Sequence, residues 1–531
     1  MTTFELVPDD EREATPDAPD ERTDEGRRRL ADLRGRALAR WGALSRRGRA
    51  AVAACTAVVV VAVAGAAVGP GLLDARADRL RAEAVQGLPG GVDDLSEPVD
   101  VAWSLPGEPM LAAVLPGGVL AVTDGQGVRA VDAATGEAVW EHPFDDGAVC
   151  GPTPWTAVDW STPVDTLVCV EDLSRVTVLG ADGAVVSQRE LDLLDPVDAP
   201  GDGDPSVFSW SQVVPAAGGA VAVLDEIAAA TEYPWPEGGD ADDMLRALRD
   251  AGWRDPSMRV VDAVTGETRA EVTIPLTADD LRACGVSEYE GDRSVAPQPW
   301  IDATPSSSTL GLCGLARAVT PTGEAIDVGG DDRTLLPLPG GRFLVQGETS
   351  EVRDAHGDRL ETIDGFALAP LVDTEPDGPR LTLVGAEGSA PSLVALGGDG
   401  KPAWSFSVDP LTMPLARVGD TIVLVDGSSV TALDARTGDR SWHVPGVLDL
   451  DPESGETVSG AVTDGTRLLL AISPSTWSTD AEDVPHRLVA VDLRDGSTAW
   501  EQTGTGALWG LFSAGGHPVA FGDALSGLDG A

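Results

Sequence analysis

The chain is 531 residues long and carries 37 Lys+Arg against 87 Asp+Glu, a formal charge of -50, with hydrophobic residues at 42%. That length suits two or three domains or one large repeat architecture, and the apolar fraction excludes a chain disordered throughout. So acidic a balance excludes nucleic acid as a general partner, because phosphate binding needs a basic face.

In chain order, residues 1–25 hold ten acids and two arginines, a composition that predicts disorder. Residues 26–50 hold nine arginines and one acid, so the first fifty residues cancel and the whole -50 belongs to residues 51–531. From Ala50 to Leu73 there is no charged residue. About 20 apolar residues cross a bilayer core as a helix, so the spacing predicts a transmembrane helix over 50–73. A buried core helix and the apolar part of a cleaved signal are the alternatives. The late start of the run favours a retained anchor, while Ala64-Gly65-Ala66 resembles a cleavage site and keeps the signal reading open.

The arginines before the run place 1–49 in the cytoplasm by the positive-inside bias. Leu30, Leu33, Ala37, Trp41 and Leu44 recur among them at helical spacing, as an amphipathic helix on the anionic leaflet or as a merely solvated stretch. The expected order is a cytoplasmic tail (1–49), a single span (50–73), a linker (74–97) and an exported domain (98–531) held at the cell membrane.

The exported part is internally repetitive. Three copies align without gaps: Val128 to Trp140 with Asp132 and Gly136, Val430 to Trp442 with Asp434 and Gly438, and Leu488 to Trp500 with Asp492 and Gly496. A fourth keeps Asp262 and Gly266 but has Ala270 in place of the Trp, and a fifth keeps Gly400 and Trp404. Weaker copies surround Asp182-Gly183, Thr322-Gly323 and His356-Gly357. An alternating apolar stretch is a strand, Asp-x-x-Thr-Gly is a tight turn with glycine at positive φ, and the Trp lies on the returning strand. With the strands upstream, each unit makes a sheet of about four strands, the form of a propeller blade.

These motifs resemble the repeat of pyrroloquinoline-quinone (PQQ) type β-propellers over roughly 98–531. The resemblance implies an all-β fold, a single propeller of seven to nine four-stranded blades with eight preferred, and tryptophans that pack between neighbouring blades. Val101-Ala-Trp103-Ser-Leu105 reads as a returning strand without its hairpin, and Leu508–Leu528 offers inner strands without a final one. Joining them would close the ring and remove exposed sheet edges. Asp242–Arg249 and Thr277–Cys284 interrupt the repeat as short helices.

Cys55 falls in the apolar run. The other cysteines form two sequence-local pairs, Cys150/Cys169 and Cys284/Cys313, expected as disulfides on the oxidising side of a membrane, with free buried thiols as the alternative.

Quinoprotein dehydrogenases share this repeat, yet the chain has no adjacent Cys-Cys pair and no Cys-x-x-Cys-His. Its histidines (His142, His356, His443, His486, His517) lack metal-ligand spacing. Acid clusters at Asp145-Asp146, Asp240–Asp243 and Asp331-Asp332 lack a full calcium loop and read as solvated faces. No catalytic, cofactor or metal residue is assigned, and PQQ and calcium are not expected. The leading expectation is a monomeric, non-enzymatic scaffold for a cell-envelope protein or ligand, similar in kind to the barrel-assembly propeller lipoprotein. A sensor working through a partner and a PQQ-dependent oxidoreductase are the alternatives.

Overall fold

Each repeat builds one antiparallel sheet. The computed structural model describes residues 76–530, with breaks of which the longest are 192–212, 226–239, 284–298 and 475–484. The expected tail and membrane span, Cys55, Cys284, Asp399 and the acid pairs Asp145-Asp146 and Asp331-Asp332 lie outside the described residues. Among the described residues no helix is long and apolar enough to cross a membrane.

The first sheet runs Met110–Leu115, Val119–Thr123, Gly127–Asp132 and Ala138–Pro143, paired in that order. Seven more succeed it along the chain over 149–190, 213–273, 300–329, 334–364, 366–407, 413–444 and 456–505. The ninth takes three strands from the end of the chain, Leu508–Ala514, His517–Gly522 and Ala524–Gly530. Its fourth is Val99–Pro106, paired antiparallel from Val99 opposite Gly530 to Pro106 opposite Ala524. This all-β succession of four-stranded sheets is consistent with a β-propeller, with the sheets as blades 1 to 9.

Among the described residues the eighth and ninth units are joined by a parallel bridge from Gly460 to Leu511 into one eight-stranded sheet, and Val372–Asp373 adds a fifth strand to the seventh. The strands thus fall into eight hydrogen-bonded sheets or nine four-stranded units, both within the seven-to-nine range. All eight turns read in the sequence are present, one in each of blades 1 to 8. Blade 9 has no such turn to read, because its third and fourth strands come from opposite ends of the chain.

Among the described residues, buried apolar side chains gather in nine clusters, each between consecutive blades. Leu167, Cys150 and Ala112 meet between blades 1 and 2, and Val168 and Val221 between 2 and 3. The series runs on to Leu468 and Val430 between blades 7 and 8 and Leu469 and Leu511 between 8 and 9. The last, with Leu120, Val131, Phe512 and Leu525, joins blade 9 back to blade 1. Burial of such side chains is the main favourable term in folding.

Strand alternation puts the turns joining strands one to two and three to four on one side (face A). The turns joining two to three, and the connections between blades, lie on the other (face B). Both interrupting helices, Ala241–Asp250 and Ala278–Ala283, sit in face-B segments. Met244, Leu248 and Leu281 bury into the cluster between blades 3 and 4. The second helix has the expected cap: the Thr277 amide and hydroxyl donate to the Asp280 carboxylate, and the Asp280 amide donates back to the Thr277 hydroxyl.

Residues 85–97 differ from the expected linker. They form a strap on face A, with Val85 buried between blades 7 and 8 and Val92, Leu95 and Val99 between blades 8 and 9. The Val92 amide donates to the Thr463 carbonyl (2.9 Å), and the Asp93 amide to the Gly516 carbonyl (3.0 Å). The Leu95 amide donates to the Asp464 carboxylate (3.0 Å). Val85, Val92, Leu95 and Val99 fall seven, three and four residues apart, a helix-like spacing that gives no sign of this docking.

Candidate functional site

The repeat motif is first a turn. In blade 1, Asp132 Oδ1 accepts the amides of Ala134 (3.0 Å) and Thr135 (2.9 Å), and the Gly136 amide donates to the Asp132 carbonyl (2.8 Å). Asp262, Asp434 and Asp492 hold their turns in the same way. Burial pushes the Asp262 carboxyl up, but the Thr265 amide and the Arg269 guanidinium outweigh it and bring it down to about 2. Gly136, Gly266, Gly400, Gly438 and Gly496 all have φ between 68° and 78°, which a side chain rarely tolerates.

Each Trp of the motif then latches its blade to the next. Trp140 Nε1 donates to the Ala181 carbonyl (2.9 Å), and a Cβ on Gly183 would lie 2.6 Å from its ring. Trp404 reaches the Ala435 carbonyl (2.8 Å) over Gly438, and Trp442 the Leu493 carbonyl (3.0 Å) over Gly496. Trp103 of the closing strand reaches Ala133 (2.9 Å) over Gly136. Trp500 finds no turn on blade 9 and donates instead to the Leu95 carbonyl of the strap (2.9 Å). Gly136, Gly183, Gly438 and Gly496 are thus required twice, by φ and by the indole lying on them. In blade 2 the Arg189 side chain lies over Gly266 and in blade 3 Arg269 lies beside Gly323, in the place that a Trp takes over Gly136, Gly183, Gly438 and Gly496.

Strands one and two of blade 2 are joined by residues 152–165, and the Cys150–Cys169 disulfide crosses the foot of this loop. Cys313 is also disulfide-bonded, and its expected partner Cys284 is not among the described residues. The loop carries a short helix, Ala157–Trp160, capped by reciprocal Thr156–Asp159 hydrogen bonds. Trp160 stacks against Phe512 of blade 9 at 5.3 Å. The fully buried Asp159 accepts from the Ser306 hydroxyl of blade 4 (2.7 Å), and the helix also touches the first strand of blade 5. One short segment reaching blades 9, 4 and 5 from blade 2 must lie across the central axis. It is a plug. Thr156-x-x-Asp159 is a capping box, the one sequence signal that could have marked this helix. Beside the plug, Asp302 accepts from Trp155; burial and the Asp159 charge raise its carboxyl above the usual range.

The plug, the strap and the first-to-second turns of blades 1 and 9 enclose a cavity of about 510 Å³ on face A, lined by Leu88, Pro163, Gly118 and Ser513 among others. A planar quinone at this level of the axis would displace the Trp160–Phe512 packing, so the residues present do not fit it there. Among the described residues no three His, Cys, Asp or Glu side chains are grouped to hold a metal ion. His443 bonds to Thr431, His486 to the Gly506 carbonyl, and His142 packs on Phe144, each in a different part of the ring. Asp240 caps the helix Ala241–Asp250 through the Asp243 amide (3.0 Å), and Asp243 pairs with Arg246.

Comparison with known proteins bears on the repeat. Residues 373–519 match the family model described as outer membrane protein assembly factor BamB. This shows the PQQ-type repeat over those residues. Among solved structures, BamB from Moraxella catarrhalis is 12% identical, with 81% of this chain and 100% of that one covered at a TM-score of 0.36. Quinohemoprotein alcohol dehydrogenase ADHIIG from Pseudomonas putida HK5 is 13% identical, with 80% and 71% covered at 0.31. The quinohemoprotein alcohol dehydrogenase from Comamonas testosteroni is 14% identical, with 84% and 79% covered at 0.34. None of the curated proteins matches the chain. An assembly factor and dehydrogenases stand side by side in this group, so the likeness does not separate a binding module from an enzyme.

Proposed function

We propose that the chain is a membrane-tethered, extracytoplasmic β-propeller, one ring of nine blades, that acts as a non-catalytic binding or scaffold module for a cell-envelope protein or ligand. One observation carries this reading: the residues of the repeat motif are consumed in packing blade on blade, while the chain's own plug fills the axis where a propeller enzyme would hold its cofactor. The broad acidic surface around the ring remains for recognition.

The test is a titration of the purified full chain with PQQ and calcium, monitored by absorbance and thermal shift, with dye-linked oxidation of alcohols and sugars alongside. No shift and no turnover, together with a specific crosslinked partner in the envelope, is the expected result. A calcium-dependent shift with turnover would overturn the reading in favour of an oxidoreductase. Deleting residues 1–49 separates a scaffold, which keeps its partner, from a sensor, which loses its response.

A further inference from the structure

On face A the strap covers part of blades 7 to 9 and the plug crosses the axis. Face B is where the first strand of every blade begins. On three consecutive blades those beginnings are apolar and exposed: Trp509 of blade 9 (46%), Met110 of blade 1 (61%) and Val149 of blade 2 (53%). Trp509 extends the patch by packing edge-on against Phe521 at 5.4 Å. Exposed apolar side chains at neighbouring strand beginnings, with polar residues about them, mark an interaction site. The second-to-third turns flanking it carry Asp124 on blade 1 and Asp523 on blade 9, within a chain of net charge -50.

We infer that this face-B patch docks a protein segment with an apolar centre and arginine or lysine flanks. The apolar side chains supply the contact, and the acidic surround selects the flanks and steers the approach. The inference deepens the binding-module reading and rests on it.

Two experiments test it. In the first, labelled short peptides with a Leu-Phe-Leu centre and arginine flanks are titrated into the full chain in detergent, beside peptides with glutamate flanks or a Ser-Gly-Ser centre. Only the arginine-flanked apolar peptide is expected to bind. Its affinity should fall about tenfold or more in the triple variant Met110→Ser, Val149→Ser, Trp509→Ser, the effect of losing one hot spot. Val185→Ser with Val264→Ser, on face A, removes two exposed apolar groups without altering charge and should leave binding unchanged. Equal losses in both variants, or none in the triple variant, would overturn the inference. Since all five side chains are exposed, unchanged thermal melts check that the fold survives.

In the second, a photocrosslinking residue is placed at 149 or at 264 in cells. An adduct from 149 alone, mapped to an apolar segment with basic flanks on the partner, supports the inference. An adduct from 264 alone refutes the face while leaving a binding module intact. A scan of the whole surface without any adduct refutes both.

Discussion

Replacing Trp442 tests whether the repeat tryptophans hold the ring together or meet a ligand. The side chain is only 8% exposed, lies over Gly496 of the next blade and donates to the Leu493 carbonyl at 3.0 Å. Trp442→Ala removes both the packing and the bond, which for a buried Trp costs about 3–5 kcal/mol. Trp442→Phe keeps most of the ring contact but leaves the Leu493 carbonyl without its donor, at a cost of about 1–2 kcal/mol. Urea unfolding of the full chain, monitored by far-UV circular dichroism, should therefore rank the proteins wild type, Phe, Ala in falling midpoint, with two clear steps. A midpoint unchanged in Trp442→Ala, accompanied by lost partner binding, would refute the structural role. Equal losses in both variants would show that the hydrogen bond, not the packing, carries the latch.

Other variants probe the same geometry. Gly438→Ala places a Cβ 2.6 Å from Trp404 at a backbone φ of 74°, and should destabilise by about 2–4 kcal/mol in the same urea assay. Asp262, held down at about 2 in the folded protein, adds stability that is complete above its unfolded pKa of about 4 and lost as pH falls towards 2. After allowance for solvent screening this amounts to about 1 kcal/mol, so Asp262→Ala should narrow its gap from wild type between pH 5 and pH 2.5. Leu95→Ala, at a fully buried strap position, should cost about 2–5 kcal/mol, whereas a true linker residue would cost nothing measurable. Cys150→Ser with Cys169→Ser opens a disulfide of sequence separation 19, worth about 3 kcal/mol in the chain-entropy model; reducing the wild type, which also opens the Cys313 disulfide, should cost at least as much.

The legible part of this fold was the part governed by local rules. Asp132, Asp434 and Asp492 with their glycines announce a turn through short-range hydrogen bonds, so eight turns could be found in the chain and eight are there. The ninth blade adds no turn to that count, yet its closure was legible: Val101–Leu105 lacks a hairpin of its own and 508–528 lacks a final strand, and Val99–Pro106 pairs with Ala524–Gly530. The tryptophans were legible as packing residues, but not their acceptors, which lie on the following blade. The strap and the plug were missed for a shared reason. Val85, Val92 and Leu95 keep a helix-like spacing that says nothing of their docking, Trp160 is a single anchor, and what they anchor to is set by the closed ring rather than by their neighbours in sequence.

The shared ninth blade also fixes when the ring can exist during synthesis. Ser104 and Ser526, hydrogen-bonded across the closing strands, are 422 residues apart. A ribosome adding 5–20 residues per second therefore needs about 20–80 s between making the first half of the seam and the last. Throughout that interval the strand around Trp103 has no sheet to join, and blade 8 presents an open flank. Nascent chains would therefore need to be shielded from pairing with one another. Loss of the last two strands by premature termination would leave the same flank open for good, so a truncation of a few per cent of the chain should be as damaging to assembly as loss of a whole blade.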